Sequence, residues 1–144
     1  MSDAPVRQLA VGLKHARSVK VTDDMTPPHL RQDPIRVLAT PDMIRLIEQT
    51  CGEAVLPYLG PGQSTVGTRV DVAHLAATPV GMTVTVSVEL VELDRRRLGF
   101  NVEVRDEPDE VGKGRHDRFI VDGSQRAPRL QEKLDRWNAA GGKA

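Results

Sequence analysis

The chain has 144 residues, of which 39% are hydrophobic and only 3% aromatic, and its 20 basic and 20 acidic residues cancel at neutral pH. A chain of this length holds one hydrophobic core without disulfides or metal, so a single domain over residues 1–144 is expected, with an aliphatic interior. Balanced charge leaves no electrostatic footprint for a phosphate backbone or an anionic membrane, and argues against nucleic-acid and membrane partners.

At the N-terminus, MSDAPVRQLAVG has neither the charged start nor the long apolar stretch of a signal peptide. No later segment approaches the roughly 20 apolar residues of a spanning helix, and a soluble, cytoplasmic protein is predicted. Residues 9–22 read as a first strand. DDMTPPHLRQDP, with three prolines, then breaks regular structure as a loop or lid. A helix is predicted from Thr40 to Val55: Thr40 suits the N-cap, Pro41 the first helical position, and Asp42 the first turn, where the helix dipole favours an anion. Pro57, Gly60, Pro61 and Gly62 end it.

VGTRVDVAHLAATP, residues 66–79, alternates as a strand, which predicts Val66, Val70, Val72 and His74 on one face and Arg69 and Asp71 on the other. Residues 82–93 place Val84, Val86, Val88 and Leu90 on one face, and residues 97–104 do the same with Leu98, Phe100, Val102 and Val104. The link Asp94-Arg95-Arg96 is short enough for an antiparallel hairpin. Residues 110–122 form a last strand in which Gly112 and Gly114 point to a bulge or a close backbone approach. After Pro128, Leu130, Leu134 and Trp137 recur at helical spacing, giving a C-terminal amphipathic helix over about 128–140. One strand, a central helix and four further strands make an α+β domain whose antiparallel sheet wraps the helix. This is the hot-dog arrangement.

On the central helix, Met43, Ile44, Ile47, Cys51, Ala54 and Val55 form an apolar arc opposite Asp42, Arg45, Gln49 and Glu53. Cys51, the single cysteine, has no partner for an internal disulfide, as suits a reducing compartment, and reads as a small core residue. Glu48 lies at the edge of the arc, and Thr40 near its middle. An acid at that edge is ordinarily solvated, and a threonine at a helix start is ordinarily a cap. A histidine on a valine face must be hydrogen-bonded, ligate something or line a pocket, since an unpartnered buried polar group costs a few kcal/mol. If the sheet covers the helix, Thr40, Glu48 and His74 can converge as the hydroxyl, carboxylate and imidazole of acyl-transfer or hydrolytic chemistry. The four histidines, at 15, 29, 74 and 116, show no metal-ligand spacing, and no metal site is expected. His116 is left open as a pocket residue, and Arg95, Arg96 and Arg97 as a solvated turn or a phosphate contact.

In order and spacing, VLATPDMIRLIEQTCGEAVLPYL, VGTRVDVAHLAATPVGMTVTVSVELVELDRRRLGFNVEV and GKGRHDRFIV resemble the hot-dog thioesterases of the fluoroacetyl-CoA thioesterase type. The likeness runs from residue 9 to about 135. Its most specific part is the His-X-Ala-Ala-Thr-Pro-X-Gly run from His74 to Gly81. The resemblance implies a catalytic constellation of Thr40, Glu48 and His74, with Gly67 near the acyl group and Arg118 near the acyl end of the pocket. It also implies hydrolysis of a small acyl-CoA thioester, a homodimer with CoA bound between subunits, and no cofactor beyond the CoA of the substrate. Fluoroacetyl-specific members carry phenylalanines in the lid, whereas HLRQDPIRVLAT has no aromatic residue, so selectivity for fluoroacetate does not follow. A hot-dog hydratase or dehydratase and a non-catalytic acyl-CoA-binding protein are the alternative functions.

Overall fold

The computed structural model describes residues 8–142. Strand β1 (Lys14–Lys20) is followed by two short 3-10 turns, Asp23–Met25 and Pro28–Leu30, and then by helix α1 (Thr40–Val55). Strands β2 (Gln63–His74), β3 (Thr83–Asp94), β4 (Arg97–Arg105) and β5 (Glu110–Asp122) lead into helix α2 (Gly123–Ala139). All five strands join one sheet in the order β1-β3-β4-β5-β2, and every neighbouring pair is antiparallel. Helix α1 lies against β1, β2 and β3. The expected α+β hot-dog architecture is the one observed.

Alternation in the two central strands builds the core. Val84, Val86, Val88 and Leu90 of β3 and Leu98, Phe100, Val102 and Val104 of β4 are all buried, facing Met43, Leu46, Ile47, Cys51, Ala54 and Val55 of α1. Each of the larger side chains, Val and upward, contributes roughly 1.5–3 kcal/mol by leaving water. Between β3 and β4, Arg95 takes φ +57°, the left-handed conformation that a tight hairpin turn demands. The two glycines of β5 are sites of close approach, as expected. A Cβ on Gly112 would stand 2.8 Å from the Met43 sulfur, and one on Gly114 would run into the Asp71 carbonyl.

Four expectations need correction. In β2 the register shifts between Gly67 and Arg69, so that Val66 lies opposite Phe119 while Val70, Val72 and His74 lie opposite His116, Gly114 and Gly112. Paired residues share a face, and the extra residue of a bulge resets the alternation. Val66 therefore turns outward with Phe119, away from Val70, Val72 and His74. The first strand starts at Lys14 rather than residue 9. The N-cap of α1 is Ala39, not Thr40, and no side chain caps the helix. Ala39 is fixed instead through its backbone, its N–H donating to Met25 O at 2.7 Å and its carbonyl accepting from Met43 N at 3.0 Å. Finally, α2 begins at Gly123, directly after β5, with Pro128 inside the helix. Gly123 N–H donates to Gly62 O at 3.0 Å and pins that junction. None of the residues of α2 is buried. Among the described residues, no helix is long and apolar enough to cross a membrane.

Candidate active site

The His74–Gly81 run acts as a clamp. Thr78 is fully buried and its hydroxyl donates to Asp106 Oδ2 at 2.9 Å, while Asp106 Oδ1 accepts the Asp109 N–H at 2.8 Å. On the other side, Leu38 N–H donates to Thr78 O at 2.9 Å and Val80 N–H to Arg36 O at 2.8 Å. The segment leading into α1 is thus bonded to the segment leaving β2. That brings the first residue of the helix to the last residue of the strand: Thr40 Oγ1 lies 2.7 Å from His74 Nδ1. The hydroxyl is free for this because Thr40 does not cap α1. His74 Nε2 is shielded from solvent and has no partner among the described residues. Burial holds the imidazole below its ordinary pKa, so the ring is neutral at pH 7. Thr40 and His74 open onto a cleft of about 420 Å³ bordered by Pro27, His29, Leu30, Val37 and Leu75.

Glu48 belongs to a second cluster. Its carboxylate stands 3.6 Å from Arg118 Nη1, with the glutamate side chain 43% exposed and the arginine 10%. Arg118 is fixed on its other edges: Nε donates to Thr65 Oγ1 at 2.8 Å, Nη2 to Thr65 O at 2.9 Å, and Nη1 lies 3.2 Å from His116 Nε2. Burial disfavours the charged guanidinium, and Glu48 opposes that effect. Gly67 closes this cluster at the bulge. A Cβ there would sit 2.5 Å from Glu48 Oε2 and 3.1 Å from His116 Cε1, so only glycine leaves the carboxylate in place. The cluster faces a cleft of about 640 Å³ that also reaches Arg17, Arg45 and Leu56.

Thr40 therefore meets His74, and Glu48 meets Gly67 and Arg118, but the three proposed catalytic groups do not form one cluster within the chain. Thr40 and Glu48 are eight residues apart on α1, or about 12 Å at the helical rise. Cys51 is buried beneath the second cluster, and desolvation pushes its thiol up to about 12 despite the nearby Arg118, which leaves it a core residue. Two polar residues gain roles that sequence reading did not assign. His116 shares the face of Arg118 by simple alternation, a signal available in the sequence. Thr65 has no such signal, because its position under Arg118 depends on the β2–β5 register. Among the described residues, no group of three or more His, Cys, Asp or Glu is placed to hold a metal ion.

Similarity to known proteins bears on this geometry. The fluoroacetyl-CoA thioesterase of Streptantibioticus cattleyicolor is 46% identical over 85 residues, which are 59% of this chain and 61% of that protein; the match thus spans less than two thirds of that relative. The solved structure of the fluoroacetyl-CoA thioesterase FlK superposes with a TM-score of 0.81 at 34% identity, covering 88% of this chain and 98% of FlK. A thioesterase-superfamily protein of Thermus thermophilus superposes with a TM-score of 0.80 at 27% identity, over 94% of this chain and 98% of that one. The profile of the fluoroacetyl-CoA-specific thioesterases, FlK, matches residues 21–124. That span holds α1, all of the sheet except β1, and both polar clusters, and by it the chain belongs to the FlK family of fluoroacetyl-CoA-specific thioesterases.

Proposed function

We propose that this protein is a cytoplasmic thioesterase, one domain over residues 1–144, that hydrolyses a small acyl-CoA to the free acid and CoA. The observation that carries the reading is the 2.7 Å contact between a free threonine hydroxyl and a neutral imidazole at the mouth of a cleft. In the tautomer with Nδ1 unprotonated, His74 accepts the Thr40 proton, or that of a water in its place, as general base. The carbonyl carbon gains an oxygen nucleophile, the carbon–sulfur bond breaks, and the CoA thiolate leaves and takes up a proton. Attack by water gives the free acid at once, whereas attack by Thr40 leaves an acyl ester that a water, deprotonated by His74, then hydrolyses to the acid and the free hydroxyl. Arg118 supplies fixed positive charge toward the acyl oxygen, and Glu48 orients the nucleophile or takes its proton. CoA is part of the substrate, and the reading needs no further cofactor. A phenylalanine-to-alanine mutant of FlK has been solved in complex with fluoroacetate and CoA, which supports an acyl-CoA here. Leu30, Val37 and Leu75 give the Thr40 cleft a largely aliphatic border beside His29, and they favour a small acyl group without special affinity for fluorine.

The separation of the two clusters is the reason to propose a homodimer. β2 is an edge strand of 12 residues whose outer side no other described strand covers, and Val70 within it and Leu75 just after it are 41% and 51% exposed. Such an edge invites a second copy. If two β2 strands pair antiparallel about a two-fold axis near Val70 and Asp71, His74 of one subunit comes opposite the partner's Gly67, and the partner's Glu48 reaches the Thr40–His74 pair. Each dimer then has two composite sites. The test is release of free thiol from a panel of small acyl-CoA thioesters, with light scattering on the same sample. Turnover by a dimer is expected. Tight acyl-CoA binding without thiol release would favour a binding protein, and water addition or loss on an enoyl- or hydroxyacyl-CoA a hydratase; a monomer with full activity would remove the composite site.

A further inference from the structure

His116 is completely buried, and both of its ring nitrogens are engaged. Nδ1 lies 2.8 Å from the carbonyl oxygen of Arg69, and Nε2 lies 3.2 Å from Arg118 Nη1. A carbonyl oxygen can only accept and a guanidinium can only donate. Nδ1 must therefore carry the proton, and Nε2 must offer a lone pair to arginine. One tautomer satisfies both contacts, whereas an imidazolium keeps the bond to the Arg69 carbonyl but loses the other, because Nε2–H would be aimed at a guanidinium N–H. The Arg69 carbonyl is at the right place because the bulge between Gly67 and Arg69 falls there.

We propose that His116 is a positioning residue: its neutral ring fixes the Nη1 edge of Arg118, so that this edge is aimed at Glu48 and the acyl oxygen rather than into solvent. The inference rests on the thioesterase reading above, in which Arg118 touches the substrate. Thr65 already holds Nε and Nη2, but both of those bonds lie on one side of the guanidinium. The contact from His116 meets the remaining edge, the one that bears the 3.6 Å approach to Glu48. Burial and the Arg118 charge both lower the pKa of His116, in keeping with a ring that stays neutral against its cationic neighbour. The other charged groups facing it are Glu48 from α1 and Asp117 from its own strand.

Two variants separate positioning from simple core filling. Gln at position 116 places an amide oxygen near the old Nε2 and can still accept from Arg118, whereas Asn can reach only the Arg69 carbonyl. Steady-state kinetics on the best acyl-CoA substrate should show His116→Gln within about fivefold of wild type in kcat and His116→Asn down by about 30-fold or more, a range typical of one misaligned polar group. Melting temperatures of the two should fall by similar amounts, and KM should change less than kcat. Equal activity of the two folded variants, or a poorer Gln variant, overturns the proposal. Nitrogen-15 spectra of the wild-type imidazoles give a second test that does not depend on the variants folding. His116 should remain an Nδ1–H tautomer with a bare Nε2 throughout the neutral range, and a proton on Nε2 overturns the proposal outright. An inactive wild type with that tautomer intact would instead count against the thioesterase reading.

Discussion

At one end of α1, Thr40 and His74 are hydrogen-bonded to each other; toward the other, from the middle of the helix on, Arg118 donates to Thr65 twice, meets His116 and faces Glu48. The first pair has spare capacity, a hydroxyl outside the helix cap and a ring nitrogen without a partner. The second is a saturated network around a buried cation. A group that must move protons needs an open valence and a titratable range near neutrality, whereas a group that must hold charge in place needs every other direction closed. In the proposed mechanism the two ends of one helix divide those tasks, and both belong to one site only if two subunits meet.

The largest effect should come from the open end. His74→Asn is expected to lower kcat/KM by roughly two to four powers of ten while leaving the melting temperature nearly unchanged. Full activity in a folded His74→Asn protein would return the imidazole to a packing role. At the closed end, Glu48→Gln should cost about 100-fold, since the carboxylate is lost but Arg118 stays bonded to Thr65. The two variants also sharpen the comparison when mixed. In a composite site, a dimer with one subunit of each kind holds one doubly damaged site and one intact site. Random exchange between equal amounts should then restore about a quarter of wild-type turnover, from half the dimers carrying one of two sites. No recovery despite exchange verified by mass would place each complete site within a single chain.

Acid should have the smallest and most gradual effect. Burial lowers the pKa of both His74 and His116, while an unfolded imidazole titrates near 6.5. Between those values the unfolded chain binds more protons than the native one, so stability is present above about pH 6.5 and is lost as the pH falls toward the lowered native values. Turnover should follow the neutral fraction of His74 and begin to drop below the usual imidazole range. Melting temperatures that stay flat between pH 7 and 5 would contradict the buried neutral rings.

Much of this was legible in the sequence, and the failures have physical causes. The bounds of α1 and β5 follow from Pro and Gly punctuation and from alternation, while Thr40, Glu48 and His74 stand out as a candidate trio through their residue types and the family resemblance. Simple alternation puts Val66 on the wrong face because a bulge leaves composition untouched and only resets parity. Thr40 looked like a cap because Thr-Pro-Asp has cap chemistry, yet tertiary bonds at Ala39 took over that task and left the hydroxyl for His74. That the trio divides into two clusters also lay beyond the sequence, since helical rise gives a distance along α1 but not the partner across an edge strand.

The clamp at Thr78 has a consequence in conformational entropy. Fixing the backbone of one residue costs roughly 1–2 kcal/mol, and an enzyme that orders its site only when substrate arrives subtracts that cost from binding. Here Arg36, Leu38 and Ala39 are tied by main-chain bonds to Val80, Thr78 and Met25, and Val21 accepts from Gly81. The approach to α1 is therefore ordered when the protein folds. In the proposed reaction that ordering precedes the arrival of substrate, which leaves binding energy available for the reacting carbonyl.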